Sequence, residues 1–168
     1  MEGIAFVDAQ PRERTNDEHF TDAVAPHYAA LVRRLTLVVG DLHGGEDLAQ
    51  ETYLRAYRAW SRFDGRDVRA WLYTIGLRLA FNERDRHRRW AGILGSRPAT
   101  EPWVDAHDPQ VTDALARLDR QQRAALLLNA VDGYTQSEIA QMLGVPSGTV
   151  ASWISRAKAA MREALKDV

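Results

Sequence analysis

The segment Tyr134-Thr-Gln-Ser-Glu-Ile-Ala-Gln-Met-Leu-Gly-Val-Pro-Ser-Gly-Thr-Val-Ala-Ser-Trp-Ile-Ser-Arg-Ala-Lys158 constrains this chain more than any other. Thr135 and Glu138 have the T-x-x-E spacing of a capping box, which starts a helix. Ala140 is small, as two closely crossing helices require. Gly144 stands where a turn needs a positive φ, and Pro146 suits the start of a second helix because its missing N–H would be unpaired there. Ile139, Leu143, Val150 and Ile154 supply the apolar lining between the two helices. The pattern is that of a helix-turn-helix, whose second helix enters the DNA major groove. A short apolar helical hairpin without a DNA role is the plainer alternative.

No alternation of strand type appears, and the periodicity is helical throughout, so the chain reads as all-α. Phe20, Val24, Tyr28, Leu31, Leu35 and Val38 recur every three or four residues; Pro26 implies that this helix starts near it or is kinked there. Gly44-Gly45 reads as a break, followed by a helix over 46–60 and a turn at Phe63-Asp-Gly-Arg66. A third helix is predicted over 67–89, with Val68, Leu72, Ile75 and Leu79 toward the core. Further helices are predicted over 111–118 and 119–131, before the opening motif.

Charge separates these helices into two blocks. Residues 19–90 carry 12 basic and 9 acidic groups, and residues 111–168 carry 7 and 6. Between them, residues 91–110 carry 1 basic and 3 acidic groups. With three prolines and two glycines, this stretch reads as a linker. Residues 1–18, with 2 basic and 5 acidic groups, read as a disordered tail. Each block is small for a lone core and is expected to be marginal by itself.

The formal net charge of −1 excludes a bulk-basic nucleic-acid binder, so DNA contacts must come from local patches. The absence of cysteine excludes disulfides and thiolate sites and suits a reducing cytoplasm. No cationic signal start and no apolar run of about 20 residues is present, so no membrane insertion is expected.

Three faces carry candidate chemistry. On the third helix, Trp71, Arg78, Asn82, Arg86 and Arg89 share one side, flanked by Arg84 and Arg88. From Arg78 to Arg89 that side runs about 16 Å at 1.5 Å per residue, which covers several phosphates. Arginine forks suit phosphates and guanine edges, and a tryptophan can stack on an unpaired base; a solvated basic face with Trp71 in the core is the alternative. On the second helix, Ala49, Tyr53, Ala56 and Trp60 read as core. Asp47, Gln50, Glu51, Leu54 and Arg58 form the opposite stripe, where an apolar Leu54 hints at a protein partner. On the last helix, Ser147, Gly148, Thr149, Ser152, Trp153, Ser155 and Arg156 face outward, with hydroxyls and free N–H groups suited to phosphates. Trp153 either contacts DNA or packs on the first helix of the motif.

With both blocks read, the chain resembles the extracytoplasmic-function (ECF) sigma factors of bacterial RNA polymerase, over nearly all of residues 20–165. Gly45-Glu-Asp-Leu-Ala-Gln-Glu-Thr-Tyr-Leu-Arg-Ala-Tyr-Arg-Ala-Trp60, Phe63 and Arg69-Ala-Trp-Leu-Tyr-Thr-Ile75 match sigma region two. Ala114-Leu-Ala-Arg-Leu118, Gln122-Arg-Ala-Ala125, Val131-Asp-Gly-Tyr134, Glu138-Ile-Ala140, Gly148-Thr-Val150 and Arg156-Ala-Lys158 match region four in order. The resemblance implies two helical domains, 19–90 and 111–168, joined by a linker over 91–110. It implies that Asp47, Leu48, Gln50, Glu51 and Leu54 dock on the coiled coil of the polymerase largest subunit, with the flap region as a second contact. It implies that Trp60, Phe63, Trp71, Arg78, Asn82, Arg84, Arg86, Arg88 and Arg89 recognise and open the −10 element, with a flipped base held near the 60–71 loop. Ser147, Gly148, Thr149, Ser152, Trp153, Arg156 and Lys158 would read the −35 element. The linker would cross the polymerase cleft. The resemblance further implies an anti-sigma factor or similar regulator as partner, and neither cofactor, metal nor catalysis in this chain.

The sequence departs from the family at two places. Leu77, Arg78 and Asn82 replace the Arg, Asn and Asp of R-N-L-A-x-D, and Ala151 and Trp153 stand where basic residues are common. Losing two phosphate contacts would flatten the salt slope of −35 binding by roughly 2 units, at ~0.9 per phosphate.

Two other readings remain at this point. A helix-turn-helix regulator independent of polymerase explains 111–168 but leaves the Asp47 stripe unused. An enzyme is suggested by Gly40-Asp-Leu-His-Gly44, the G-D-x-H-G string of metallophosphoesterases. Such sites need a strand–loop setting and further ligands, whereas here the string falls in a turn between helices.

Overall fold

A computed structural model describes residues 15–94 and 108–166, with side chains described for 15–82 and 108–166. Seven α-helices and one short 3-10 turn make up the described residues, with no strand among them.

Helix α1 (Asn16–Val39) begins at a capping box: Thr15 Oγ accepts from Glu18 N–H, and the Glu18 carboxylate accepts from Thr15 N–H at 2.8 Å. The helix therefore starts ten residues before Pro26 and runs through it, and it takes in residues 16–18 of the expected tail. Thr15 supplies the start signal, and the apolar stripe Phe20, Val24, Leu31, Leu35 and Val38 holds the helix in the core.

The break between the first two helices lies at Gly40-Asp41, not at Gly44-Gly45. Asp41 caps helix α2 (Leu42–Ala59) by accepting from Gly44 N–H at 2.7 Å. Both glycines thus lie in the first turn of α2. Gly45 is there for packing: a Cβ on it would fall 2.6 Å from the Thr36 backbone, so α1 and α2 touch at this point. The Gly40–Gly44 string is accordingly a helix start, with the Asp41 carboxylate engaged in capping and His43 in solvent.

A 3-10 turn (Trp60–Arg62) leads into helix α3 (Val68–Leu94), which packs on both α1 and α2. Its fully buried residues are Leu72, Tyr73, Leu77 and Ala80. Of the four expected core residues, Leu72 is buried, while Val68, Ile75 and Leu79 are only partly so. The register is broader than a one-sided helix needs because α5 and α6 cover a second face of α3.

Asp108 caps helix α4 (Pro109–Ala116), and helix α5 (Arg120–Ala130) follows. Helices α6 (Gln136–Leu143) and α7 (Ser147–Ala164) form the expected helix-turn-helix. Thr135 and Glu138 make the capping box, and Gly144 adopts φ 66° at the turn. Pro146 stands one position earlier than expected, at the N-cap, with its carbonyl accepting from Thr149 N–H at 3.0 Å. Ile139, Ala140, Leu143, Val150 and Ile154 are all buried at the crossing.

The two blocks are in contact. Helix α5 packs on α1 and α3, α6 packs on α3, and the buried apolar residues form one continuous cluster. Sharing a core in this way offsets the small size of each block.

Candidate polymerase and promoter interfaces

Helix α2 turns two faces in different directions. Leu48, Ala49, Thr52 and Ala56 are buried, whereas Asp47, Gln50 and Leu54 are exposed. Leu54 is 48% exposed, one of three large apolar side chains so placed among the described residues. Beside it lies an open groove lined by Ala25, Tyr28, Gln50, Tyr53 and Leu54. Glu51 is partly engaged, accepting from Arg55 Nε at 2.6 Å. Leu48 is the exception among the expected docking residues: at 6% exposure it lies in the core and positions the stripe from below. Ala25 and Tyr28, on α1, were not legible as part of this face, since only the α1–α2 crossing brings them to it.

The expected −10 aromatics do come together. Trp60 and Phe63 stack with ring centroids 5.2 Å apart and planes at 17°. Phe63 lies 4.8 Å from Trp71, and Trp60 lies 6.1 Å from it. All three rings are only partly buried. The same patch extends inward through Phe20, which meets Tyr53, Tyr57 and Trp60 edge-on. Tyr57 Oη donates to Asp17 at 2.7 Å, and this bond holds the phenol above its ordinary pKa.

Asn82 is exposed, but Arg78 is engaged within the protein. Its Nε donates to Met142 O at 3.1 Å and its Nη2 lies 3.5 Å from Gln141 O, at the carboxy-terminal end of α6. Four carbonyls at a helix end lack intrahelical partners, and an arginine there is well placed. The side chains of Arg84, Arg86, Arg88 and Arg89 lie outside the described residues, although the backbone of α3 continues as helix past them.

On α7, Ser147, Gly148, Ser155, Arg156 and Lys158 are exposed; Thr149 and Ser152 are partly so. A Cβ at Gly148 would meet nothing within 4 Å, so the first turn of the helix is open to a ligand. Trp153 is partly buried and packs against the core cluster.

Several charged residues went unread in the sequence. Arg34 interrupts the apolar stripe of α1 and reaches Asp132 in the loop between α5 and α6. Arg123 Nε, Nη1 and Nη2 donate to five carbonyls, those of Leu115, Ala116, Leu118, Leu37 and Val38, at 2.7–3.1 Å. Burial holds its pKa below the usual arginine value. Tyr73 is raised by burial and then by the Asp132 charge; Tyr134 is raised chiefly by burial. A cation on a helix's core face is the one signal that would have singled out Arg34.

Among the described residues the protein is all-helical, and its helix-turn-helix places it in the class of helical DNA-binding proteins. Comparison with known proteins narrows this class. Residues 22–90 match the Sigma-70 region 2 family and residues 109–161 match Sigma-70, region 4. ECF RNA polymerase sigma factor SigL of Mycobacterium tuberculosis is 32% identical over 153 residues, covering 84% of this chain and 86% of that protein. ECF RNA polymerase sigma factor SigW of Bacillus subtilis is 25% identical, covering 93% of this chain and 94% of that one. Among solved structures, the sigma factor RpoE in complex with the anti-sigma factor NepR from Bartonella quintana has a TM-score of 0.77 at 26% identity, over 89% of this chain and 98% of that one. CnrH in complex with the cytosolic domain of CnrY has a TM-score of 0.64 at 27% identity, over 90% of each chain. The chain belongs to the ECF sigma factors.

Proposed function

We propose that this chain binds core RNA polymerase through the α2 stripe, opens promoter DNA at the −10 element and reads the −35 element through α7. The observation that carries the reading is the exposed row of Asp47, Gln50 and Leu54 beside an apolar groove. A regulator acting on DNA alone has no use for that row. Residues 19–90 act as the polymerase- and −10-binding domain, and residues 111–168 as the −35-binding domain.

In this reading the rings of Trp60, Phe63 and Trp71 supply the surface on which unpaired bases settle. Flipping a base costs a few kcal/mol, so a site that captures it selects sequence while it melts the duplex. Base–aromatic stacking of about 1–3 kcal/mol per base is of the right size to offset that cost. Asn82 and the arginines after it track the strand. At α7, the Ser147 and Thr149 hydroxyls and the free N–H groups of the first turn contact phosphates. The protein itself performs no bond chemistry; the polymerase supplies the metal and the catalysis. It acts in the cytoplasm, where the polymerase is, and no helix among the described residues is long and apolar enough to cross a membrane. The relative solved with the anti-sigma factor NepR supports a regulator of that kind as a further partner.

Transcription from fragments of the host genome tests the proposal. Core polymerase supplied with this chain is expected to start RNA at defined sites, and Asp47→Arg is expected to abolish them. A folded chain that adds no start sites contradicts the reading.

A further inference from the structure

The apolar surface between α1 and α2 is wider than the docking stripe beside it. Gln50, Tyr53, Leu54 and Tyr57 recur every three or four residues along one side of α2. Leu54 and Tyr57 are two of the three large apolar side chains left exposed among the described residues, at 48% and 44%. Ala25 and Tyr28 of α1 close the opposite wall, where Tyr28 meets Tyr53 edge-on with ring centroids 6.1 Å apart. The space so enclosed is about 510 Å³ and mainly apolar. Ala25, Tyr28 and Tyr57 lie outside the stripe, so a contact made by the stripe alone leaves them uncovered.

The first described residue lies at the mouth of this groove. Tyr57 Oη donates to Asp17 at 2.7 Å, which bonds the first turn of α1 to the last turn of α2. Thr15 is extended, with φ −67° and ψ 158°, so the helix stops there. The 14 residues before it are mostly polar, but Ile4-Ala-Phe-Val7 forms one apolar run. From Val7 to Thr15 the chain spans up to about 26–29 Å at ~3.3–3.6 Å per residue, whereas Ala25 lies only about 15 Å along α1 from Thr15. The run therefore reaches the groove with slack. Pro11 fixes its own φ and biases Gln10 to extended backbone, which opposes a helical continuation of α1 into the run. In an extended chain Ile4 and Phe6 share one side, about 6.6–6.8 Å apart, close to the roughly 6 Å between Gln50 and Leu54 along α2.

We infer that the segment Ile4–Val7 lies back in the α1–α2 groove, with Ile4 and Phe6 set between Tyr28 and Leu54, and that it competes there with the polymerase. The competition rests on the polymerase reading above, because Gln50 and Leu54 belong to both surfaces; the filling of the groove does not. Tethering favours this occupant over a free one. A short flexible connection gives the segment an effective concentration on the order of millimolar, so a contact too weak to hold a separate peptide still fills the site. A groove filled about nine-tenths of the time weakens polymerase binding about tenfold, since only the open fraction docks.

The test uses the full chain, which lacks cysteine, so that Glu2→Cys carries a single nitroxide on the far side of the run from α1. Broadening of backbone amide NMR signals is read without polymerase or DNA. The signals of Ala25, Tyr28, Gln50 and Leu54 are expected to broaden, and to sharpen again when Ile4→Asp/Phe6→Asp is added. Leu54→Asp, at an exposed position, is expected to sharpen them as well. Broadening that is absent, or equal with and without Ile4→Asp/Phe6→Asp, overturns the inference. So does broadening seen only between a nitroxide-bearing copy and a separate isotope-labelled copy, which places the segment on a second molecule. Affinity for core polymerase is then compared in chains without the nitroxide. Ile4→Asp/Phe6→Asp is expected to bind about tenfold more tightly than the parent. Equal affinities overturn the competition. No binding by either chain overturns the polymerase reading and the competition with it, whereas the broadening judges the groove by itself.

Discussion

The two blocks bring different materials to the DNA contacts proposed for them. The amino-terminal block is built on rings: Phe20, Tyr28, Tyr53, Tyr57, Trp60, Phe63 and Trp71 form one connected set of aromatic contacts. Residues 108–166 contain only Tyr134 and Trp153 as aromatics, and rely on Ala, Leu and helix caps. Trp60, Phe63 and Trp71 lie together and are only partly buried, which suits the proposed capture of unstacked bases. Small residues at a helix crossing let α6 and α7 approach closely and present a clean helix start, which suits the proposed reading of an intact duplex. Side-chain volume, more than charge, distinguishes the blocks: each is only mildly basic.

This contrast is open to breakage at several points, the largest first. Arg123→Ala removes the one donor set that serves five carbonyls of both blocks. Stability is expected to fall by on the order of 3 kcal/mol, seen in urea unfolding followed by circular dichroism. Gly45→Ala drives a methyl into the Thr36 backbone and is expected to lower stability by about 2 kcal/mol or more. Gly148→Ala, with open space around it, is expected to lie within about 1 kcal/mol of the parent or above it. Equal losses in the two variants would remove the packing argument for Gly45.

Trp71→Ala tests the division of labour. Affinity for single-stranded −10 DNA is expected to fall by about 1–3 kcal/mol, with duplex −35 binding unchanged. At α7, Ala151→Arg is expected to steepen the salt slope by about 1 unit, read from affinities across a salt series. The same change at Trp153 is expected to disturb packing instead, because that ring is partly buried.

The smallest effect concerns the α6 cap. Thr135→Ala is expected to cost about 1 kcal/mol at neutral pH. Hydrogen bonds from the Thr135 backbone and then its hydroxyl hold the Glu138 carboxyl below the ordinary glutamate range. A depressed carboxylate contributes stability above its unfolded pKa and loses it as pH falls through the folded one. The gap between parent and variant is therefore expected to shrink on acidification below the usual glutamate range, and a gap that persists would show that Glu138 takes no part.

What could be read in advance divides along the same line as local and distant contacts. The helix-turn-helix was legible because its signals, Thr135, Glu138, Gly144 and the apolar spacing, act within a few residues of one another. The aromatic patch was legible in part, since Trp60, Phe63 and Trp71 flank one turn. Gly44-Gly45 misled because glycine marks close packing as well as breaks, and only the partner Thr36 distinguishes the two. Pro26 misled less; the capping box at Thr15 was a stronger local signal, in a segment read as a tail. The Arg34–Asp132 pair, 98 positions apart, leaves no periodic trace, and neither does the groove that Ala25 and Tyr28 complete.

The account's central claim is that the α2 stripe carries this chain to RNA polymerase, and gel filtration of the purified protein with bacterial core polymerase tests it most directly. The parent is expected to migrate with the polymerase and the Asp47→Arg/Gln50→Ala variant to elute alone while keeping its helical circular dichroism. A folded parent that elutes alone, or a variant that binds as well as the parent, would contradict it.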